Sequence, residues 1–237
     1  MKHKQLLLAV NDKQDYKFDN YLLAKNGAVV DHLTRITKTV SSPESFSFGL
    51  SFVHGGSGVG KTHLLLASLE ALQVHSEGLY LDFQQVLNMP PEVMDGVVGT
   101  RLLCLDNIDC IASSHAWQEK VFDIINQCTE NGESHIIVSS SKPVNLCDFS
   151  LQDLSSRLIW GTTYAIKELN EAQKQAALRM HFEQRGIHIQ DDTLSFLMKR
   201  CQRDMHKLMS ILDELDKLSL AEQRKITIPF VKQALSI

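Results

Sequence analysis

Eight consecutive residues constrain this chain more than any others: Gly55, Gly56, Ser57, Gly58, Val59, Gly60, Lys61 and Thr62. They match the spacing G-x-x-x-x-G-K-[ST]. The match has physical content only if a strand precedes the loop and a helix follows it. Both conditions hold in the sequence, where Phe46 to His54 reads as a strand and Lys61 to Val74 as a Leu- and Ala-rich helix. The glycines let the backbone wrap so that successive N–H groups point at oxyanions, and the helix start adds its positive end. In such a loop Lys61 reaches the outer phosphates of a nucleotide and Thr62 offers its hydroxyl to Mg²⁺. The alternative is a glycine-rich strand–helix turn with no ligand.

A magnesium-associated acid belongs at the end of a neighbouring strand. The run Leu102, Leu103, Cys104, Leu105, Asp106 has that form, with Asp106 as the candidate carboxylate, acting directly or through water. An N-cap aspartate is the competing reading of Asp106. Further strands are expected over Gly78 to Phe83, His135 to Ser139 and Tyr164 to Ile166. Helices are expected over Ala28 to Val40 and Trp117 to Thr129. Strands alternating with helices argue for a parallel α/β sheet. After Glu168 the pattern becomes helical. Asn170 caps one helix that Gly186 stops, Asp191 and Asp192 start a second, Asp204 a third, and Pro229 opens a fourth. The expected organisation is a tail and linker over 1–17, a nucleotide-binding α/β subdomain over 18–167, and a helical subdomain over 168–237.

Composition narrows the setting. The 237 residues can bury a substantial core, and 43% apolar with 22% charged residues is ordinary for a globular protein. No apolar run approaches the length of a membrane span, and the short stretch Leu6 to Leu8 is too brief for a signal peptide. Five scattered cysteines without a C-x-x-C pair indicate neither zinc nor a disulfide framework, and reduced thiols imply a cytoplasmic setting. A net charge of −4 gives no global basic surface for nucleic acid. Trp117, Trp160 and most histidines read as core or surface residues.

The loop and its flanks, from Val53 to Leu65, resemble the ATP loop of bacterial replication initiators of the DnaA family. The resemblance implies an AAA+ P-loop fold: a parallel five-stranded sheet flanked by helices, then a small helical lid subdomain. Asp19, Asn20, Tyr21 and Leu22 look like the segment that cradles adenine ahead of that fold, and His63 follows the loop. The implied cofactors are ADP or ATP with Mg²⁺. The stretch from Leu154 to Leu158 is similar to the segment carrying the family's arginine finger, which makes Arg157 the candidate finger, acting in trans. The chain has no room for the initiator's other two domains, and its end, Arg224 to Lys232, is similar to the end of a regulatory paralogue in the same family. That resemblance implies two partners: the initiator, and the DNA polymerase III sliding clamp (its beta subunit), with DNA engaged only through the clamp. Gln5, Leu6 and Leu8 resemble a clamp-binding peptide, although Ala9 and Val10 stand where a Pro-Leu pair is expected. No membrane partner is implied, and loop and finger could also mate in a homodimer.

Three positions depart from a working ATPase of this family. Asn107 occupies the place of the acid that orients the attacking water, and an amide gives no general-base help. Asp109, two residues on, is not expected to take over that role. Ser141 stands where the initiator pattern has an acid. His206 stands where a lid arginine should meet the phosphates, and offers fewer donors. These losses imply slow turnover and a lasting nucleotide, with ADP the expected one. A regulatory binding protein is thus the leading expectation. A self-sufficient ATPase, such as a helicase loader, and a DNA-binding initiator fragment are the competitors.

Overall fold

The computed structural model describes residues 16–41, 47–72, 77–200 and 205–236. These residues fall into two compact units. The first contains Lys25–Gly56 and Gly60–Lys167, and the second contains Asp19–Ala24, Ser57–Val59 and the chain from Glu168 onward.

The first unit is built on a five-stranded parallel sheet of order β2-β3-β4-β1-β5. The strands are β1 Gly49–His54, β2 Gly78–Asp82, β3 Leu102–Asp106, β4 His135–Ser140 and β5 Thr162–Ala165. Helix α1 Gly27–Val40 precedes β1; parallel strands need crossovers, and helices supply them: α2 Lys61–Glu70, the single turn α3 Phe83–Val86, α4 His115–Asn131 and α5 Gln152–Trp160. Side chains on a strand alternate between faces, so both faces must be covered. Leu50, Phe52, Leu103, Leu105, Ile136 and Val138 join a core with Trp117, Val121, Ile124, Leu154 and Leu158 of α4 and α5. The alternate positions point the other way, and there the buried Cys104 directs its thiol at the Leu65 carbonyl of α2.

The expected helix after the loop ends at Glu70, short of Val74, with Ala71 closing it. The expected strand through Phe83 stops at Asp82, because the Asp82 side chain accepts a hydrogen bond from the Gln84 amide and caps α3. The helix α5 was not among the expected elements. Asn131 ends α4, and Gly132 follows in the left-handed conformation that an L side chain resists.

On the α1 side, a hydrogen-bonded chain runs from surface to interior. Arg35 donates to Nδ1 of His32 at 3.2 Å. Guanidinium cannot accept, so His32 carries its proton on Nε2 and donates to the Ser51 hydroxyl, 2.9 Å away. Ser51 then donates to Nε2 of His135, also at 2.9 Å. The His135 ring lies over Gly49, where an added Cβ would sit 2.2 Å from ring nitrogen Nδ1.

The second unit carries α6 Glu171–Gln184, α7 Asp191–Arg200, α8 Met205–Glu222 and α9 Ile228–Leu235. Asn170 and Gln173 form a reciprocal capping box at the start of α6. Leu178, Phe182, Leu194, Leu197, Leu208, Leu212, Leu215, Phe230 and Val231 form a separate core. Arg185 pairs with Asp213 and, at 3.5 Å, with Asp216, tying the end of α6 to α8. No described helix is long and apolar enough to cross a membrane. Cys104, Cys110, Cys128 and Cys147 are free thiols, and Cys201 lies outside the described residues.

His135 gives the fold a pH dependence. Burial, helped by nearby His32, lowers its pKa from the ordinary 6.5 to about 4. The unfolded chain therefore binds this proton between pH 6.5 and 4 while the folded chain does not, so stability is full above that window and falls as pH drops through it. Between pH 7 and 5 this one group should cost about 2 kcal/mol. Urea unfolding at the two pH values checks it: His135→Gln should flatten the pH dependence by that amount. Equal slopes for the two proteins would contradict the assignment.

Candidate nucleotide-binding site

The site grows from the ends of adjacent strands. β1 ends at His54, and the Gly55 amide bonds the Ser140 carbonyl at 3.2 Å, tying the start of the loop to the end of β4. Gly58 and Gly60 take positive φ values of 73° and 91°, which glycine adopts without strain. Gly60 forms the N-cap of α2, and its carbonyl accepts from the Leu64 amide. The Lys61 side chain is buried and folds back. Its ammonium donates to the Gly55 and Gly56 carbonyls at 2.9 and 2.8 Å. Burial lowers its pKa, against the pull of Asp106 and Asp109.

Thr62, one residue into α2, donates its hydroxyl to Oδ2 of Asp106 at 2.6 Å. Asp106 is fully buried and receives three further hydrogen bonds. Tyr80 of β2 donates to Oδ2 at 2.8 Å, the Asn107 amide reaches Oδ1 at 3.1 Å, and Ser139 of β4 makes a very short bond to Oδ1. Burial and the Asp106 charge push the Tyr80 phenol far above its ordinary pKa, so it remains a donor. Tyr80 and Ser139 were not among the expected site residues. The only sequence signal for them was their place near the ends of neighbouring strands.

Asn107 leaves the strand in the left-handed conformation, φ 57°, which asparagine tolerates better than most residues. Its side-chain amide donates to Oδ1 of Asp82 at 2.9 Å. The chain then enters a 3-10 segment, Ile108–Ser113, which carries Asp109 beyond the end of β3. Asp109 instead accepts from both the amide and the hydroxyl of Ser141. Burial would raise its pKa, but these hydrogen bonds outweigh it and hold the carboxyl below the ordinary range. A carboxylate from a different loop thus stands beside Ser141, where the family pattern has an acid.

Of the expected adenine segment, Asn20 is buried, Asp19 is exposed, and Leu22 is half-buried. Tyr21 donates its hydroxyl to the Val59 carbonyl at 3.1 Å. His63 meets the Lys17 carbonyl at 2.9 Å, with its ring edge-on to Tyr16. His206 lies exposed in the first turn of α8 in the second unit. Arg157 lies in the last turn of α5, with its guanidinium 4.9 Å from the centre of the Trp160 ring. Gln5, Leu6 and Leu8 lie outside the described residues.

The donor set fits a nucleotide phosphate chain: a lysine, a helix N-terminus and glycines without side chains at the loop. Among the described residues, no group of three or more His, Cys, Asp or Glu side chains could hold a metal ion. A divalent ion at Thr62 and Asp106 would therefore draw its remaining ligands from phosphate and water. The Asp82–Asn107 contact also shows why an acid at position 107 is costly. Asn107→Asp would set two carboxylates at 2.9 Å beside a third, and should lower unfolding stability by roughly 1–3 kcal/mol at pH 7. The loss should shrink as pH falls through the carboxylate range. Urea melts of the variant at wild-type stability would show that the contact contributes nothing.

Residues 171–235 match the family model described as the Hda lid domain. Among solved structures, domain III of the Thermotoga maritima initiator DnaA is similar at 17% identity and a TM-score of 0.74, covering 94% of this chain and 96% of that one. Aquifex aeolicus DnaA bound to AMPPCP is similar at 19% identity and a TM-score of 0.67, covering 86% of this chain and 65% of that one. The Thermotoga maritima RuvB branch-migration motor follows the same fold at 14% identity and a TM-score of 0.63, covering 89% of this chain and 68% of that one. The chain thus has the fold of DnaA domain III, a parallel sheet of this order with a helical lid, and that lid matches the Hda lid model.

Proposed function

We propose that this chain is a regulatory AAA+ protein that holds an adenine nucleotide, ADP by preference, and inactivates an initiator of the DnaA type by promoting hydrolysis of the initiator's ATP. In this reading the loop Gly55 to Thr62 wraps the phosphates. Lys61 exchanges its two loop carbonyls for phosphate oxygens, and Thr62 with Asp106 holds Mg²⁺, directly or through water. The ion, when bound, neutralises phosphate charge. Asn20, Tyr21 and Leu22 line the adenine, and His206 supplies the lid's contact to the phosphates. The AMPPCP bound by Aquifex aeolicus DnaA supports a nucleotide in this fold.

The observation that carries the proposal is Asn107. Its amide is committed to Asp82 and cannot accept a proton from water, so the residues around the loop retain a nucleotide and do little to turn it over. The productive chemistry is then assigned to the partner's nucleotide, where Arg157 neutralises charge developing on the transferred phosphoryl group. Such a finger is worth about 10³–10⁵ in rate. Gln5, Leu6 and Leu8 dock the protein on the DNA-loaded sliding clamp, which brings it to the initiator.

Reconstitution tests this. ATP-loaded initiator, clamp on DNA and this protein should give rapid hydrolysis, whereas this protein alone should turn over less than about one ATP per minute. Arg157→Ala should keep clamp retention and remove stimulation. Changing Gln5 and Leu6 to Ala should remove clamp retention and leave ADP binding unchanged. Turnover of several ATP per minute without partners would instead favour a self-sufficient ATPase.

A further inference from the structure

We propose that Trp160 is a positioning residue for Arg157, holding its guanidinium ready on the outer face of α5 before a partner arrives. The inference rests on the reading of Arg157 as a finger acting in trans. Helix α5 is fixed from within. Leu154 and Leu158, one turn apart, are fully buried in the core beneath the sheet. Its end is fixed as well. Gly161 follows the last helical residue and lies so close to Leu50 of β1 that an added Cβ would come within 2.8 Å of the Leu50 carbonyl oxygen. The backbone at Trp160 is therefore held between a buried helix face and a strand.

Arg157, half-buried at the flank of that face, and the exposed Trp160 are three residues apart and so neighbours on the helix surface. Trp160 is 77% exposed and the adjacent Ile159 58%, while the chain's other tryptophan, Trp117, is buried. A large aromatic ring left in water gains nothing from the core and needs another explanation. Here the ring carries the Arg157 guanidinium on it at 4.9 Å. Among the described residues Arg157 forms no ion pair, so no carboxylate competes for its charge. An arginine side chain that is otherwise free samples many rotamers, and a finger must be in one of them when the partner's phosphate reacts. The aromatic face restricts those rotamers while leaving all five N–H donors available. Trp and Arg are also the side chains that dominate the energetics of protein contacts, which suits this pair to the partner's nucleotide-bearing face.

The test measures initiator ATP hydrolysis on clamp-loaded DNA against the concentration of this protein, for the wild type, Trp160→Ala, Trp160→Phe and Arg157→Ala. A positioning role lowers the maximal rate and leaves the half-saturating concentration within about twofold. Trp160→Ala should cut the maximal rate by about fivefold, the fold-change a cation–π contact of this class supplies, and Trp160→Phe should fall between it and the wild type. All variants should melt like the wild type, since the ring is exposed. If Trp160→Ala reaches the wild-type maximal rate, or changes only the half-saturating concentration, while Arg157→Ala is inactive, the positioning role is wrong and the finger stands. If Arg157→Ala stimulates fully, the finger reading itself fails, whatever Trp160 does.

Discussion

A carboxylate buried away from water must be met by donors or it destabilises everything around it, and Asp106 sits at the centre of this fold under that constraint. Its four hydrogen bonds come from α2, β2, β4 and the backbone just past its own strand. Each partner fixes the end of an element at the rim of the sheet. The strand ends are thereby held level and the first turn of α2 is held against them. The phosphate loop joins β1 to α2, and its Gly55 amide is bonded to the Ser140 carbonyl at the end of β4. The geometry that would receive a nucleotide is thus maintained by an acid that the nucleotide need not touch.

The same rim explains the second acid pair. Asp82 caps α3 and accepts from Asn107, while Asp109 accepts from Ser141. Each of these carboxylates has donors committed to it. An edge arranged in this way is built to keep its charges quiet. The buried Lys61 is likewise matched, its ammonium turned onto two loop carbonyls.

Much of this was legible in the sequence because its signals are local. The glycine loop, the Asn170 cap and the Asp191 helix start all rest on residues within a few positions of each other. The sheet strands were readable as short apolar runs, and Asp106 as the acid ending one. What stayed hidden depends on pairing at a distance. That Tyr80 and Ser139 meet Asp106 follows from β3 lying between β2 and β4, and no spacing along the chain encodes it. The helix α5 escaped because nine residues with two inward leucines give too weak a period. Asn107 was legible as an amide beside Asp106, but its bond to Asp82 needed the left-handed turn that only the folded chain reveals. Tyr80 and Ser139 also carried no charge to draw attention.

The strand order has a further bearing on how such a chain is made. β1, which launches the glycine loop, lies between β4 and β5, and both are synthesised long after it. Ser51 on β1 and His135 on β4, hydrogen-bonded in the finished fold, are 84 residues apart. While the ribosome is still working toward β4, the loop strand has neither neighbour and the Gly55 amide lacks its Ser140 carbonyl. Long-range parallel pairing of this kind assembles slowly and leaves apolar edges open meanwhile. The glycine loop is complete in the nascent chain at Thr62, yet the strand that launches it has no partner on either side until His135 to Ser140 have been made.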